Sequence, residues 1–143
     1  LGSVVFYSDM SFTRKQFREF MFKQSSPYPE MLELVSRLKA KYQLKIAIVN
    51  NEGRELNEHR IHHFNISRFV DFYISSCFVH FRKPDADIYR IALDIAQVKP
   101  AEVVYLEDRS MFVDVANGLG INGVCHVDYE STVKKLEAFG LKL

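Results

Sequence analysis

Short apolar runs of strand length alternate with amphipathic helix patterns along most of this 143-residue chain. The runs are largely unbroken, which is typical of strands that are buried on both faces of a sheet. They comprise residues 44–49, 72–74, 103–106 and 121–127. A strand that leads through a helix to a parallel strand forms a right-handed crossover. The alternation therefore predicts an α/β fold, a three-layer sandwich around a parallel sheet.

The N-terminal region differs from this pattern. Thr13 and Gln16 have the spacing of a helix capping box, which predicts that a helix begins there. Residues 24–29, Gln-Ser-Ser-Pro-Tyr-Pro, then interrupt it, because proline and the residue before it disfavour a continuing helix. We place a domain boundary in this segment, with residues 1–27 as a helical remnant and linker and residues 28–143 as the α/β core.

Charge and cysteine content exclude several classes of protein. The chain carries 19 Lys and Arg against 18 Asp and Glu, so it lacks the positive field that nucleic acids or acidic membranes attract. Its two cysteines lack C-x-x-C spacing, and no apolar run approaches the roughly 20 residues that span a bilayer. His59, His62 and His63 share a helix face without a fourth zinc ligand, and we expect them to face solvent. We expect a cytoplasmic protein with no nucleic-acid or membrane partner.

Polar residues follow three of the strand candidates, at the edge where parallel sheets bind ligands. Asn50 and Asn51 follow the first run, Lys83 lies in the loop after the second, and Glu107 and Asp108 end the third. Each set also has an ordinary structural explanation, as a helix cap, a surface lysine or a solvated turn.

Together, the same residues point to a phosphoryl group. Adjacent carboxylates repel one another, and Mg²⁺, which takes one or two carboxylates plus water and phosphate, relieves that repulsion. Lys83 would place a positive charge on a phosphate, and the amides of Asn50 and Asn51 would donate to its oxygens. The pattern predicts a magnesium and phosphate site.

Three segments resemble motifs of the haloacid dehalogenase-like (HAD) superfamily of hydrolases, most of which are phosphatases. They are residues 46–51, 82–89 and 103–108, which occur in the family's order at the expected strand ends. The resemblance runs from about Pro29 to the C-terminus. It implies a HAD-like, Rossmann-like parallel sheet and hydrolysis of a small phosphate monoester through an aspartyl-phosphate.

The resemblance also implies roles for the polar residues at the strand ends. Lys83 would neutralise charge on the attacking carboxylate and the phosphate, and Asn50 with Asn51 would position phosphoryl oxygens. Asp108 with Glu107 would hold Mg²⁺. The family usually has Ser or Thr where this chain has Asn50, so its phosphate contact would be weakened or altered.

The family's nucleophile motif is the second departure. It is an Asp-x-Asp-x-Thr after the first core strand, and no such sequence follows an apolar strand before Leu44. Two interpretations stay open: Asp9, behind apolar residues 4–7, belongs to a degenerate first motif with Ser11 in the acid/base position, or residues 4–25 are the tail of the family's helical cap.

Without its first core strand, the family's sheet would contain a slot about 10 Å wide, two inter-strand spacings, between the strands that end at Asn50 and Glu107. Each buried backbone group left unpaired there would cost about 1–3 kcal/mol. We therefore predict that a preceding segment of the same polypeptide supplies this strand and the nucleophile, and that this chain alone is inactive. Alternatively, residues 4–7 fill the slot. The competing functional hypothesis is a non-catalytic HAD-like module that binds a phosphorylated ligand or a protein.

Overall fold

A computed structural model describes residues 13–143 of the chain. Helices and strands alternate over that range in the order that the apolar pattern predicts. The helices are α1 (Arg14–Gln24), α2 (Pro29–Tyr42), α3 (Arg54–His63), α4 (Ser76–Val79), α5 (Ala86–Ala96), α6 (Ser110–Gly118) and α7 (Tyr129–Ala138). The strands are β1 (Ala47–Asn50), β2 (Phe72–Ser75), β3 (Val104–Glu107) and β4 (Asn122–Cys125). The predictions for residues 4–7 and for Asp9 lie outside the described residues.

The strands form two parallel pairs. β1 pairs with β2, with Asn50 opposite Ser75, and β3 pairs with β4, with Glu107 opposite Cys125. Over residues 13–143 no strand ladder joins one pair to the other. The predicted α/β class with parallel strands is confirmed. The separation of the two pairs is consistent with a central strand supplied from outside the described residues, which stays a prediction.

One layer of helices crosses both pairs of strands. Ile88 and Tyr89 of α5 and Ala116 of α6 share a buried cluster with Ile74 of β2, and the half-buried Tyr105 of β3 packs against the same cluster. Because side chains from both pairs meet beneath α5 and α6, this layer holds the pairs in one unit.

The opposite layer is built around α2. Leu34 and Leu38 of α2 form a buried cluster with Leu136 of α7, against which residues of β3 pack. Val35 of α2 packs instead in the cluster that includes Ile48 of β1. Helix α2 therefore contacts both pairs of strands, and the three-layer arrangement follows. Within the described residues no helix has the length and apolar character needed to cross a bilayer.

The N-terminal helix starts as its sequence predicts. Gln16 donates from its backbone N–H to Thr13 Oγ1 (3.2 Å), and the Thr13 N–H donates to Gln16 Oε1 (2.9 Å). Of the three histidines of α3, which were expected to face solvent, His62 and His63 are exposed and His59 is half-buried. Its ring stacks on Phe22 of α1, with 4.0 Å between centroids, and on His63 at 5.0 Å, because α1 packs against α3 at this point.

Candidate active site

The predicted site residues gather at the carboxyl edge of the strands because all of the paired strands are parallel. Asn50 ends β1 and Asn51 follows it, whereas Glu107 ends β3 and Asp108 follows it. Lys83 reaches this edge from the loop between α4 and α5, and its side chain meets Glu107. Tertiary structure thus brings together side chains from both pairs of strands.

Lys83 and Glu107 form a buried ion pair. Their side chains are only 9% and 8% exposed, and Lys83 Nζ donates to Glu107 Oε2. The Tyr105 hydroxyl donates to the same oxygen at 2.7 Å, and Lys83 Nζ lies 3.3 Å from that hydroxyl. Lys83 Nζ also lies 5.0 Å from the centroid of the Phe112 ring. The ammonium is therefore fixed in place by a carboxylate, a phenol and an aromatic face.

The second oxygen of Glu107 is also engaged. The backbone N–H groups of Asp108 and Arg109 donate to Glu107 Oε1 at 3.0 and 3.2 Å. Burial favours the protonated acid, but hydrogen bonds from Asp108, Lys83 and Tyr105 outweigh burial and hold the pKa of Glu107 at about 2. Glu107 is accordingly an ionised counter-ion for Lys83 at neutral pH.

Asp108 lies beside this carboxylate but faces solvent. Its hydrogen bond with Glu107, its partial burial and the negative charge of Glu107 raise the pKa of Asp108. For Tyr105, burial and then its hydrogen bond to Glu107 raise the pKa, so the phenol keeps its proton and remains a donor. One of the two adjacent acids is thus buried among donors, and the other lies at the surface.

Asn51 anchors the loop that carries Lys83. Its Nδ2 donates to the Lys83 carbonyl oxygen and its Oδ1 accepts from the Lys83 N–H, both at 2.7 Å. The peptide bond that follows, Lys83–Pro84, is cis. This reciprocal pair fixes the backbone of Lys83 on the end of β1. The structure therefore gives Asn51 a positioning contact, and its predicted contact with phosphoryl oxygens stays a prediction.

Asn50 points into a buried polar cluster. Its Nδ2 donates to Asn57 Oδ1 of α3 at 2.9 Å. Across residues 13–143, Asn50 Oδ1, Asn57 Nδ2 and Ser75 Oγ are buried without a hydrogen-bond partner. The Asn50 amide group is thus directed at α3, and its predicted contact with a phosphoryl group remains a prediction.

Three residues of this region were not predicted from the sequence. Tyr105 lies two residues before Glu107 in a strand, so the period of two would have placed both side chains on one face. Ser75 ends β2 at the same edge as the predicted residues, and that position was a usable signal. Asn57 carries no such signal, because only the packing of α3 places it beside Asn50.

The two carboxylates at this edge differ in how well they suit Mg²⁺. The described residues contain no cluster of three or more His, Cys, Asp or Glu side chains that could hold a metal. Mg²⁺ commonly keeps several waters and takes one or two carboxylates with phosphate oxygens. The exposed carboxylate of Asp108 fits that role, whereas both oxygens of Glu107 already accept hydrogen bonds. The metal roles of Asp108 and Glu107 stay predictions.

Comparison with known proteins identifies similar sequences. Residues 4–125 match the sequence profile of a family described as haloacid dehalogenase-like hydrolase. Bifunctional epoxide hydrolase 2 of Rattus norvegicus is 36% identical over 72 residues, which cover 50% of this chain and 13% of that protein. The phosphorylated carbohydrates phosphatase of Thermotoga maritima is 28% identical over 109 residues, which cover 74% of this chain and 49% of that protein. The chain therefore spans less than half the length of either relative.

A solved structure shows the same fold. It is that of an aspartate-to-alanine mutant of a HAD family enzyme from Bacteroides thetaiotaomicron in complex with magnesium and inorganic phosphate. The two share 17% identity with a TM-score of 0.68, over 81% of this chain and 62% of that one. This similarity supports the arrangement of helices and strands described above.

Proposed function

The chain belongs to the haloacid dehalogenase-like hydrolase family, and from that premise we propose that it forms the phosphate-binding part of a Mg²⁺-dependent phosphatase that acts on small phosphate monoesters. The observation that carries the proposal is the buried Lys83–Glu107 pair beside the exposed Asp108. A fixed ammonium next to a solvent-facing carboxylate suits an anion that arrives with a divalent cation.

Lys83 retains capacity for such an anion. An ammonium has three N–H donors, and within the described residues Glu107 and Tyr105 take two of them. The third is left for a phosphate oxygen. Because Asn51 and Glu107 fix both the backbone and the side chain of Lys83, little reorganisation is needed when the substrate binds.

In the proposed reaction a carboxylate oxygen attacks phosphorus and the bond to the ester oxygen breaks. The departing oxygen takes up a proton, and water then hydrolyses the acyl phosphate. Lys83 would stabilise the charge on the phosphoryl oxygens, and Asp108 would be the exposed carboxylate that holds Mg²⁺. Bound Mg²⁺ would supply Lewis-acid stabilisation of the same charge. We place the attacking aspartate in a preceding segment of the same polypeptide, so this chain alone would bind phosphate without hydrolysing esters.

A second candidate function is a non-catalytic module that binds a phosphorylated ligand. Two observations favour it. The sequence lacks Asp-x-Asp-x-Thr after an apolar strand before Leu44, and the amide of Asn50 donates to Asn57 and so is directed away from a ligand. In this alternative Lys83 and Asp108 would still bind a phosphate and a cation, but no phosphoryl transfer would follow.

The test compares this chain with the longest natural polypeptide that contains it, on a panel of phosphate monoesters with and without Mg²⁺. We expect the longer protein to hydrolyse esters only with Mg²⁺, and Lys83→Ala to lower kcat/KM by about 10²–10³-fold. Lys134→Ala, at an exposed position of α7, is the matched control. Hydrolysis that is independent of Mg²⁺ or unaffected by Lys83→Ala would contradict the phosphatase. Phosphate binding without turnover by the longer protein would favour the second candidate.

A further inference from the structure

A cavity of about 430 Å³ opens beside the predicted phosphate-binding residues. It lies between the loop that follows β1 and the segment that follows β2, and Asn51, which anchors the backbone of Lys83, is part of its wall. Its volume is within the range of about 300–1,000 Å³ that is usual for small-molecule sites. Arg82, another residue of the wall, directly precedes Lys83 in the chain.

Part of the wall is apolar. Phe81 contributes an aromatic ring that is 40% exposed, and Cys77 contributes a half-buried thiol without a disulfide partner. Gly53 contributes only backbone, and a Cβ built on it meets no atom within 4 Å, so this part of the cavity is open. Phe81 therefore presents apolar surface to the cavity.

The polar residues of the wall are partly committed to the protein. Both amide atoms of Asn51 bond to the backbone of Lys83, and the carboxylate of Glu52 pairs with Arg60. Ser76, His80 and Arg82 are the other polar side chains of the wall. The imidazole of His80 and the guanidinium of Arg82, which also line the cavity, are planar groups that stack on aromatic rings.

From this wall we infer that the cavity binds the leaving group of an aryl phosphate monoester, with the ring against Phe81 and the phosphate at Lys83. The inference rests on the proposed function, since it assigns the substrate class of the same site. It makes Phe81 and Gly53 specificity-determining positions, because one provides a surface for the ring and the other leaves space for it.

The test is calorimetric titration of the full chain in Mg²⁺ with inorganic phosphate, phenyl phosphate and glycerol 3-phosphate. We expect phenyl phosphate to bind about tenfold more tightly than glycerol 3-phosphate, because only the former buries a ring. Gly53→Leu, which fills the open space, should lower the ratio of phenyl phosphate affinity to inorganic phosphate affinity by about tenfold. Phe81→Ala, which removes the surface for the ring, should also lower this ratio. Gly118→Leu is the matched control, since Gly118 also has open space around its Cβ position but lies in α6, outside the cavity wall.

The outcomes separate the two proposals. If inorganic phosphate binds but phenyl phosphate shows no preference, or if Gly53→Leu and Phe81→Ala leave the ratio unchanged, the aryl inference is overturned and the phosphate site stands. If inorganic phosphate does not bind, the proposed function fails and the inference falls with it. Circular dichroism of each variant identifies any that does not fold, and two variants in different parts of the wall keep the test decisive.

Discussion

Removal of the Lys83 ammonium should destabilise the fold by leaving a buried carboxylate without its counter-ion. Glu107 has a pKa of about 2 against an ordinary 4.5, which corresponds to about 3 kcal/mol of net stabilisation of its ionised form. Lys83 supplies part of that stabilisation, and without it only the hydrogen bonds from Asp108, Arg109 and Tyr105 offset the desolvation of Glu107. Breaking one partner of a buried ion pair typically costs about 3–5 kcal/mol. We therefore expect Lys83→Met to lower the free energy of unfolding by about 3 kcal/mol at pH 7.

The pH dependence of this loss tests its cause. The depressed pKa of Glu107 stabilises the fold above about pH 4.5, and that stabilisation disappears as the pH falls through about 2. The cost of Lys83→Met should therefore be greatest near neutral pH and should shrink below about pH 4.5, because protonated Glu107 needs no counter-ion. Urea unfolding measured at a series of pH values between 7 and about 3 gives this profile directly.

Two further variants complete the experiment. The double variant Lys83→Met/Glu107→Gln removes both charges and should recover at least about 2 kcal/mol relative to Lys83→Met alone. Lys134→Met removes an exposed lysine and should change stability by less than about 0.5 kcal/mol. A cost for Lys83→Met that matches the Lys134 control, or one that does not vary with pH, would refute the assignment of Glu107 as the buried counter-ion.

Two other changes test neighbouring contacts. Tyr105→Phe removes a hydrogen bond to the Glu107 carboxylate and one from the Lys83 ammonium, and it should cost about 1.5–3 kcal/mol in urea unfolding. Tyr129→Phe, at a more exposed position, should be nearly neutral. Asp71 accepts from Lys39 and from the Ile46 N–H, and these bonds lower the pKa of Asp71. Asp71→Asn should thus lower the free energy of unfolding by less than about 1 kcal/mol at pH 7, because the Asp71 side chain is 41% exposed. This loss should fade as the pH drops below about 4, where Asp71 becomes protonated. A loss that persists in acid would contradict the ion pair.

The order of elements was predictable because it is encoded locally. Thr13 and Gln16 lie three residues apart and form their capping box within one turn of helix. Pro29 begins α2 because its fixed φ suits the first helical position. The parallel crossovers then predict that Asn51 and Glu107 lie at one edge of the sheet. The separation of β1 and β3 into two pairs did not follow from these local signals, but from the family resemblance, which predicts a slot between the two strands.

The chemistry of the acidic residues was less accessible to sequence reasoning. Glu107 and Asp108 are adjacent in the sequence and were predicted to act together on a metal. In the structure their side chains have different surroundings, because successive side chains at the end of a strand point in different directions. Glu107 turns inward to Lys83 and Tyr105, and Asp108 faces solvent. Two neighbouring acids of the same charge thereby acquire pKa values displaced in opposite directions.

The sequence by itself determined the alternation of strands and helices and the edge of the sheet at which the polar residues lie. Both depend on periodicity and on residues only a few positions apart. Tertiary structure alone decided that Lys83 pairs with Glu107, 24 residues further along the chain, and that Asn51 holds the backbone of Lys83 across 32 residues. Contacts at such separations depend on how whole layers pack, and the energy of a buried charge depends on which partner that packing brings within reach.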